Sequence, residues 1–183
     1  MRYITKYKDD WPTRFETIVG FIKCFLPSCC KCHHVGSTSI PGMPAKDIID
    51  LDIEYPHGML EMIVSGLSEA GYNYLGDLGI AGREAFKAIP GSNAALLPEH
   101  HLYACENNAY ELNKHLAYRE YLLANPERAA WLRDRKIEVD ASAENREQYI
   151  ESKSCFYELV TKESLSWANK RLNINAAKKR GAS

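Results

Sequence analysis

Apolar residues recur at helical spacing near the start of the chain. Phe15, Ile18, Val19, Ile22, Phe25 and Leu26 fall on one side of a helix. Asp10 stands where a cap is expected and Pro12 lies in the first turn, while Pro27-Ser28 ends the pattern. The period then changes. Cys32 to Val35 reads as a short strand, and 47–54 alternates, with Ile49, Leu51 and Ile53 on one face and Asp50, Asp52 and Glu54 on the other. A helix is predicted over 59–70, closed by Gly71. Strands are predicted over 72–75, 84–89 and 101–105, separated by turn-rich loops. From Asn107 the pattern is helical throughout. Leu112, Leu116, Arg119 and Leu123 keep the period, Asn125-Pro126 breaks and restarts it, and a last helix spans about 143–172. This order predicts an α+β fold: a small mixed β-sheet with packed helices and a helical C-terminal part.

The length of 183 residues suits one domain, expected over 1–168, with a basic, mobile tail over 169–183. No apolar run is long enough for a transmembrane helix, and the first ten residues lack the apolar stretch of a secretory signal, so a cytoplasmic location is expected. The net charge of −1 gives no global attraction to nucleic acid or membrane. It is unevenly placed: 153–183 carries seven basic and two acidic residues. Four of the six cysteines, Cys24, Cys29, Cys30 and Cys32, crowd ahead of His33-His34. Zinc sites usually join a close pair of ligands to a distant one, which this spacing does not do, so the cysteines read as free thiols.

The most informative segment joins Gly36-Ser37 to Asp50-Leu51-Asp52. Carboxylates two apart on a strand share a face and can converge on Mg²⁺, which takes hard oxygen ligands and keeps places for phosphate. Glycine lets backbone approach a phosphate, and the following hydroxyl and N–H groups complete an anion cradle. Together they would place phosphates beside metal, in an open pocket, as phosphoryl or nucleotidyl transfer requires.

The stretch from His34-Val-Gly-Ser-Thr-Ser-Ile-Pro-Gly-Met-Pro-Ala to Lys46-Asp-Ile-Ile-Asp-Leu-Asp-Ile resembles the signature of the GrpB family of bacterial proteins. Tyr7-Lys-Asp-Asp-Trp-Pro, Gly79-Ile-Ala-Gly-Arg83, His100-His-Leu-Tyr-Ala-Cys, His115-Leu-Ala-Tyr-Arg and Tyr149 to Phe156 with Lys153 extend the likeness to about residue 165. Lys46-Asp47 departs from the Lys-Pro more usual there. The family resembles the nucleotidyltransferase superfamily, in which Gly-Ser binds nucleotide phosphates and Asp-x-Asp holds Mg²⁺. The resemblance implies Gly36 and Ser37 at the phosphates and Asp50 and Asp52 as catalytic metal ligands. A third carboxylate, usual there on an adjacent strand, has no match; Glu99, His100 or His101 stands in its region.

Lys46 and Arg83 are the cations expected to neutralise phosphate or a substrate carboxylate, and His101 is a further metal-ligand candidate. His115 and Arg119, four apart on a helix, either line the pocket or satisfy nearby acids. Tyr149, Tyr157 and Trp167 read as core. The expected activity is Mg²⁺-dependent transfer of a nucleotidyl group from a nucleoside triphosphate to a small-molecule acceptor. The alternative is a catalytically degenerate module that binds a nucleotide or coenzyme. A carboxylate facing Asp50 and Asp52 would favour the first, and a histidine there the second.

Overall fold

A computed structural model describes the backbone of residues 3–180 and the side chains of residues 3–171. The elements run α1 (Trp11–Ile22), β1 (Lys31–Val35), β2 (Ile49–Tyr55), α2 (Leu60–Glu69), β3 (Tyr72–Tyr74), β4 (Glu84–Ala88), β5 (His100–Glu106), α3 (Tyr110–Ala124), α4 (Pro126–Ser142) and α5 (Arg146–Arg180). The five strands form one mixed sheet in the order β1-β2-β5-β4-β3. β2 pairs antiparallel with β1 and parallel with β5.

The alternation along β2 decides what lies on each face. Ile49, Leu51 and Ile53 are fully buried beneath α1 and α2, in a core with Trp11, Ile18, Ile22, Ile63 and Leu67. Full burial of each such side chain stabilises the fold by about 1.5–3 kcal/mol. The opposite, acidic face is covered from the His115 side of α3, whose His115 meets Asp52. α3, α4 and α5 share a second core of Tyr118, Leu122, Leu132 and Val160, which also receives Ile40 and Met43 from the loop after β1. The helical half is thereby fastened to the Gly36–Ser37 turn.

Two local details differ from the sequence pattern. Asp10 makes no capping hydrogen bond; its carboxylate takes Arg14 four residues on. The tail expected over 169–183 is, as far as Arg180, the continuation of α5, while 181–183 and the side chains from 172 onward lie outside the described residues. Asp47 turns out to be a staple. It accepts hydrogen bonds from Lys8 Nζ (2.7 Å), Trp11 Nε1 (2.8 Å) and Arg14 Nη1 (3.0 Å), which pull its pKa down to about 2 and fix the approach to β2. Among the described residues no helix is long and apolar enough to cross a membrane.

Candidate functional site

The site begins where β1 ends. Val35 is in register with Asp50, so the next residue, Gly36, passes directly over that carboxylate. Its φ is +70°, and a Cβ there would stand 2.3 Å from Asp50 Oδ2. Only glycine fits both constraints. A tight turn, Ser37–Ser39, follows, held by Ser39 N–H and Oγ donating to the Gly36 carbonyl at 3.3 and 2.7 Å.

Asp50 and Asp52 share one face of β2 but have different surroundings. Asp50 is half-exposed and faces His101 of β5, whose Nδ1 lies 2.8 Å from Asp50 Oδ1. That contact raises the His101 pKa. Asp52 is 0% exposed, so the expectation of two carboxylates in an open pocket is corrected. α3 lies over it, and His115 Nδ1 holds its Oδ2 at 2.7 Å. Asp52 Oδ1 is buried without a hydrogen-bond partner. On β5 the residues opposite Asp50 and Asp52 are His101 and Tyr103, so no third carboxylate faces the pair from that strand. Among the described residues no three or more His, Cys, Asp or Glu side chains are arranged to hold a metal ion. An orphaned carboxylate oxygen beside a half-exposed Asp fits one Mg²⁺ completed by ligand phosphates, but not a two-ion set.

The strongest feature was missed by the sequence pattern. Lys136 of α4 is 3% exposed, and its Nζ donates to Ser37 Oγ at 2.8 Å. Burial pushes its pKa down to about 7, and burial also lowers that of Lys153 on α5. These two lysines, Lys46, Ser37, Asp50 and His101 line one cavity of about 200 Å³. None of the three lysines makes an ion pair with a described residue. The cavity therefore has an excess of positive charge around the Gly36–Ser37 turn.

Arg83 is not among those cations. It lines a separate cavity of about 160 Å³ with Val35, Gly36, Asp50, Tyr103, His115, Tyr118 and Tyr157. The two cavities share Asp50, with Gly36 on one side and Ser37 on the other. Tyr157, expected in the core, is part of this wall. His115 does both of the things foreseen for it, lining the cavity and satisfying Asp52. Arg119 instead donates to the His34 carbonyl at 2.8 Å, tying α3 to β1.

The model of the family described as GrpB protein matches residues 3–163. The chain belongs to the GrpB family. It is 31% identical over 177 residues to the UPF0157 protein YqkA of Bacillus subtilis, covering 95% of this chain and 50% of that protein. The chain thus spans about half the length of that relative. The glutamate-rich protein GrpB of Alkalihalophilus pseudofirmus is 29% identical over 126 residues, 67% of this chain and 72% of that one. Among solved structures, GrpB from Enterococcus faecalis superposes with a TM-score of 0.74 at 29% identity, covering 90% of this chain and 98% of its own. The Cid1 poly(U) polymerase, in an H336N mutant bound to MgATP, gives a TM-score of 0.51 at 12% identity, over 74% of this chain and 43% of that one. This last likeness shows a shared nucleotidyltransferase-like fold.

Proposed function

We propose that this GrpB-family protein binds a nucleoside triphosphate at the Gly36–Ser37 turn and acts as a binding module of nucleotidyltransferase fold. The observation that carries the reading is the buried Lys136 on Ser37, with Lys46 and Lys153 around the same cavity and no ion-pair partner for any of them among the described residues. A buried cation without a counter-charge is costly, and a polyphosphate would answer the buried Lys136 together with the half-buried Lys153 and the exposed Lys46. Asp50 and Asp52 are the carboxylates that would hold a Mg²⁺ arriving with the triphosphate, where the ion would supply charge neutralisation. His101 occupies the register position where a third carboxylate would complete a transferase, and its Nδ1 is taken by Asp50. That position supports binding over turnover.

Calorimetry with ATP, with and without Mg²⁺, tests the reading. A charge-assisted hydrogen bond is worth about 1.5–3 kcal/mol, so Lys136→Met should weaken ATP at least about tenfold. Asp50→Asn should reduce only the part of the affinity that Mg²⁺ adds. Equal ATP affinity in wild type and Lys136→Met would overturn the site. Pyrophosphate release from ATP that Asp50→Asn abolishes would overturn the binding-only reading in favour of nucleotidyl transfer to a small-molecule acceptor.

A further inference from the structure

The loop Gly76 to Arg83 is the part of the sequence signature that the triphosphate cavity leaves unused. Gly79 and Gly82 have φ of +79° and +76°, and the Arg83 N–H donates to the Ile80 carbonyl at 3.2 Å. This turn delivers Arg83 to the edge of β4, where its guanidinium lies 4.4 Å from the centre of the Tyr103 ring. Stacked in this way, Arg83 makes no hydrogen bond or ion pair with a described residue, and its Nε is buried. A guanidinium fixed by its face, with its donors unused, is preorganised for an oxyanion.

The rest of the wall points to the same kind of ligand. The hydroxyls of Tyr103, Tyr118 and Tyr157 also have no hydrogen-bond partner among the described residues. Three phenols without a partner among the described residues thus line, with a guanidinium whose Nε is buried and unpartnered, one cavity of about 160 Å³.

Charge selects the ligand further. Asp52 is hydrogen-bonded to His115 at 2.7 Å and Asp50 to His101 at 2.8 Å. Arg83 is the one lysine or arginine among the residues that line this cavity, and it can meet a single negative charge. A dianion would leave one charge unmatched beside Asp50 and Asp52. The tyrosine rings and Val35 suit an apolar body behind the charged end.

We propose that the Arg83–Tyr103–Tyr118–Tyr157 cavity is a second binding site, for a small monocarboxylate whose carboxylate meets Arg83. The site stands independently of what the lysine cavity takes. Ligand-observed NMR with benzoate and propionate tests it, with phenyl phosphate and benzylamine as the dianionic and cationic comparisons. Saturable binding of at least one acid is expected, with both comparisons weaker. Loss of a bidentate charged contact in Arg83→Gln should weaken the acid about tenfold or more. Arg83→Lys keeps the charge without the fork and should also weaken it, which serves if the first variant does not fold. Lys136→Met should leave acid binding unchanged, and Arg83→Gln should leave ATP binding unchanged, so failure at one cavity is distinguishable from failure at the other. Absence of acid binding at millimolar concentration, a preference for phenyl phosphate or benzylamine, or full affinity in both Arg83 variants would overturn the proposal.

Discussion

Asp50 and Asp52 stand two residues apart on one strand, on the same face, and serve different ends. Around Asp52, α3 lies across the sheet. The carboxylate is fully buried and one of its oxygens is held by His115 from within the fold. Around Asp50, α3 gives way to the two cavities. Their cations, Lys46, Lys136 and Lys153 on one side and Arg83 on the other, have no ion pair with a described residue. Where α3 crosses the sheet, the fold holds one carboxylate oxygen of Asp52 and leaves only Oδ1 without a partner. Where it does not, charge is left for a ligand.

The sharpest way to break this comparison is to remove each carboxylate in turn. Asp52→Ala leaves His115 without its buried partner, and breaking a buried pair from one side costs about 3–5 kcal/mol. Because His115 is 16% exposed, a loss of about 3 kcal/mol in urea denaturation is expected. Asp50→Ala removes a pair whose side chains are 35% and 51% exposed and should cost less than about 1 kcal/mol. Equal losses would mean that both carboxylates are structural and that the open end of the strand is not built for a ligand.

Glycine substitution sharpens the comparison at the turn. Left-handed backbone costs a residue with a Cβ about 1–2 kcal/mol. At Gly42, with φ of +76° and nothing within 4 Å of an added Cβ, alanine should cost only that. At Gly36 the backbone, with φ of +70° and ψ of −169°, lies in a region essentially confined to glycine, and an added Cβ also meets Asp50 Oδ2 at 2.3 Å. Gly36→Ala should therefore cost about 2 kcal/mol in chemical denaturation and also reduce ATP affinity, whereas Gly42→Ala should leave affinity intact.

The same division separates what the sequence makes legible from what it does not. The strands are readable because their physics is local: Ile49, Leu51 and Ile53 alternate with Asp50, Asp52 and Glu54, and the pleat alone assigns the faces. Gly36, Ser37 and Asp50 meet because β1 and β2 are paired antiparallel, a short-range consequence of that pattern. The sequence singles out Arg83 as a candidate anion-binding cation but not its partner, since Tyr103 reaches it only through the pairing of β4 with β5. Lys136 gave no local signal. It lies among Arg133, Arg135 and Glu138 on a highly charged helix, and its neighbours are exposed. Ser37 is 99 residues away in sequence, and only the packing of Leu132 with Tyr118, Ile40 and Met43 turns Lys136 inward. The one available hint was a cation on the buried side of α4, one turn after Leu132.

Lys136 also makes the comparison testable through pH. The folded protein holds its ammonium near pKa 7, against an ordinary value of 10.5, because burial penalises the charged form. Between those values the unfolded chain binds more protons than the folded one, so stability should rise as pH rises from about 7 towards 10, by at most about 1.4 kcal/mol per unit. Lys153, lowered for the same reason, adds to the rise with the same sign. Below about pH 7 the Lys136 contribution is flat, because both states carry the proton. Lys136→Met removes the buried amine. It should raise the stability of the unliganded protein near pH 7 by about 1 kcal/mol and flatten the slope above it. The same substitution should weaken ATP binding, so stability and binding move in opposite directions. A triphosphate restores the charge of Lys136, so binding near pH 8 should take up a proton and weaken as pH rises further. Titration calorimetry in buffers of differing ionisation enthalpy reads that uptake directly. A wild-type stability flat across pH 7–9, with no proton uptake on binding, would show that Lys136 is a structural hydrogen-bond donor to Ser37 and not a charge held in reserve for an anion.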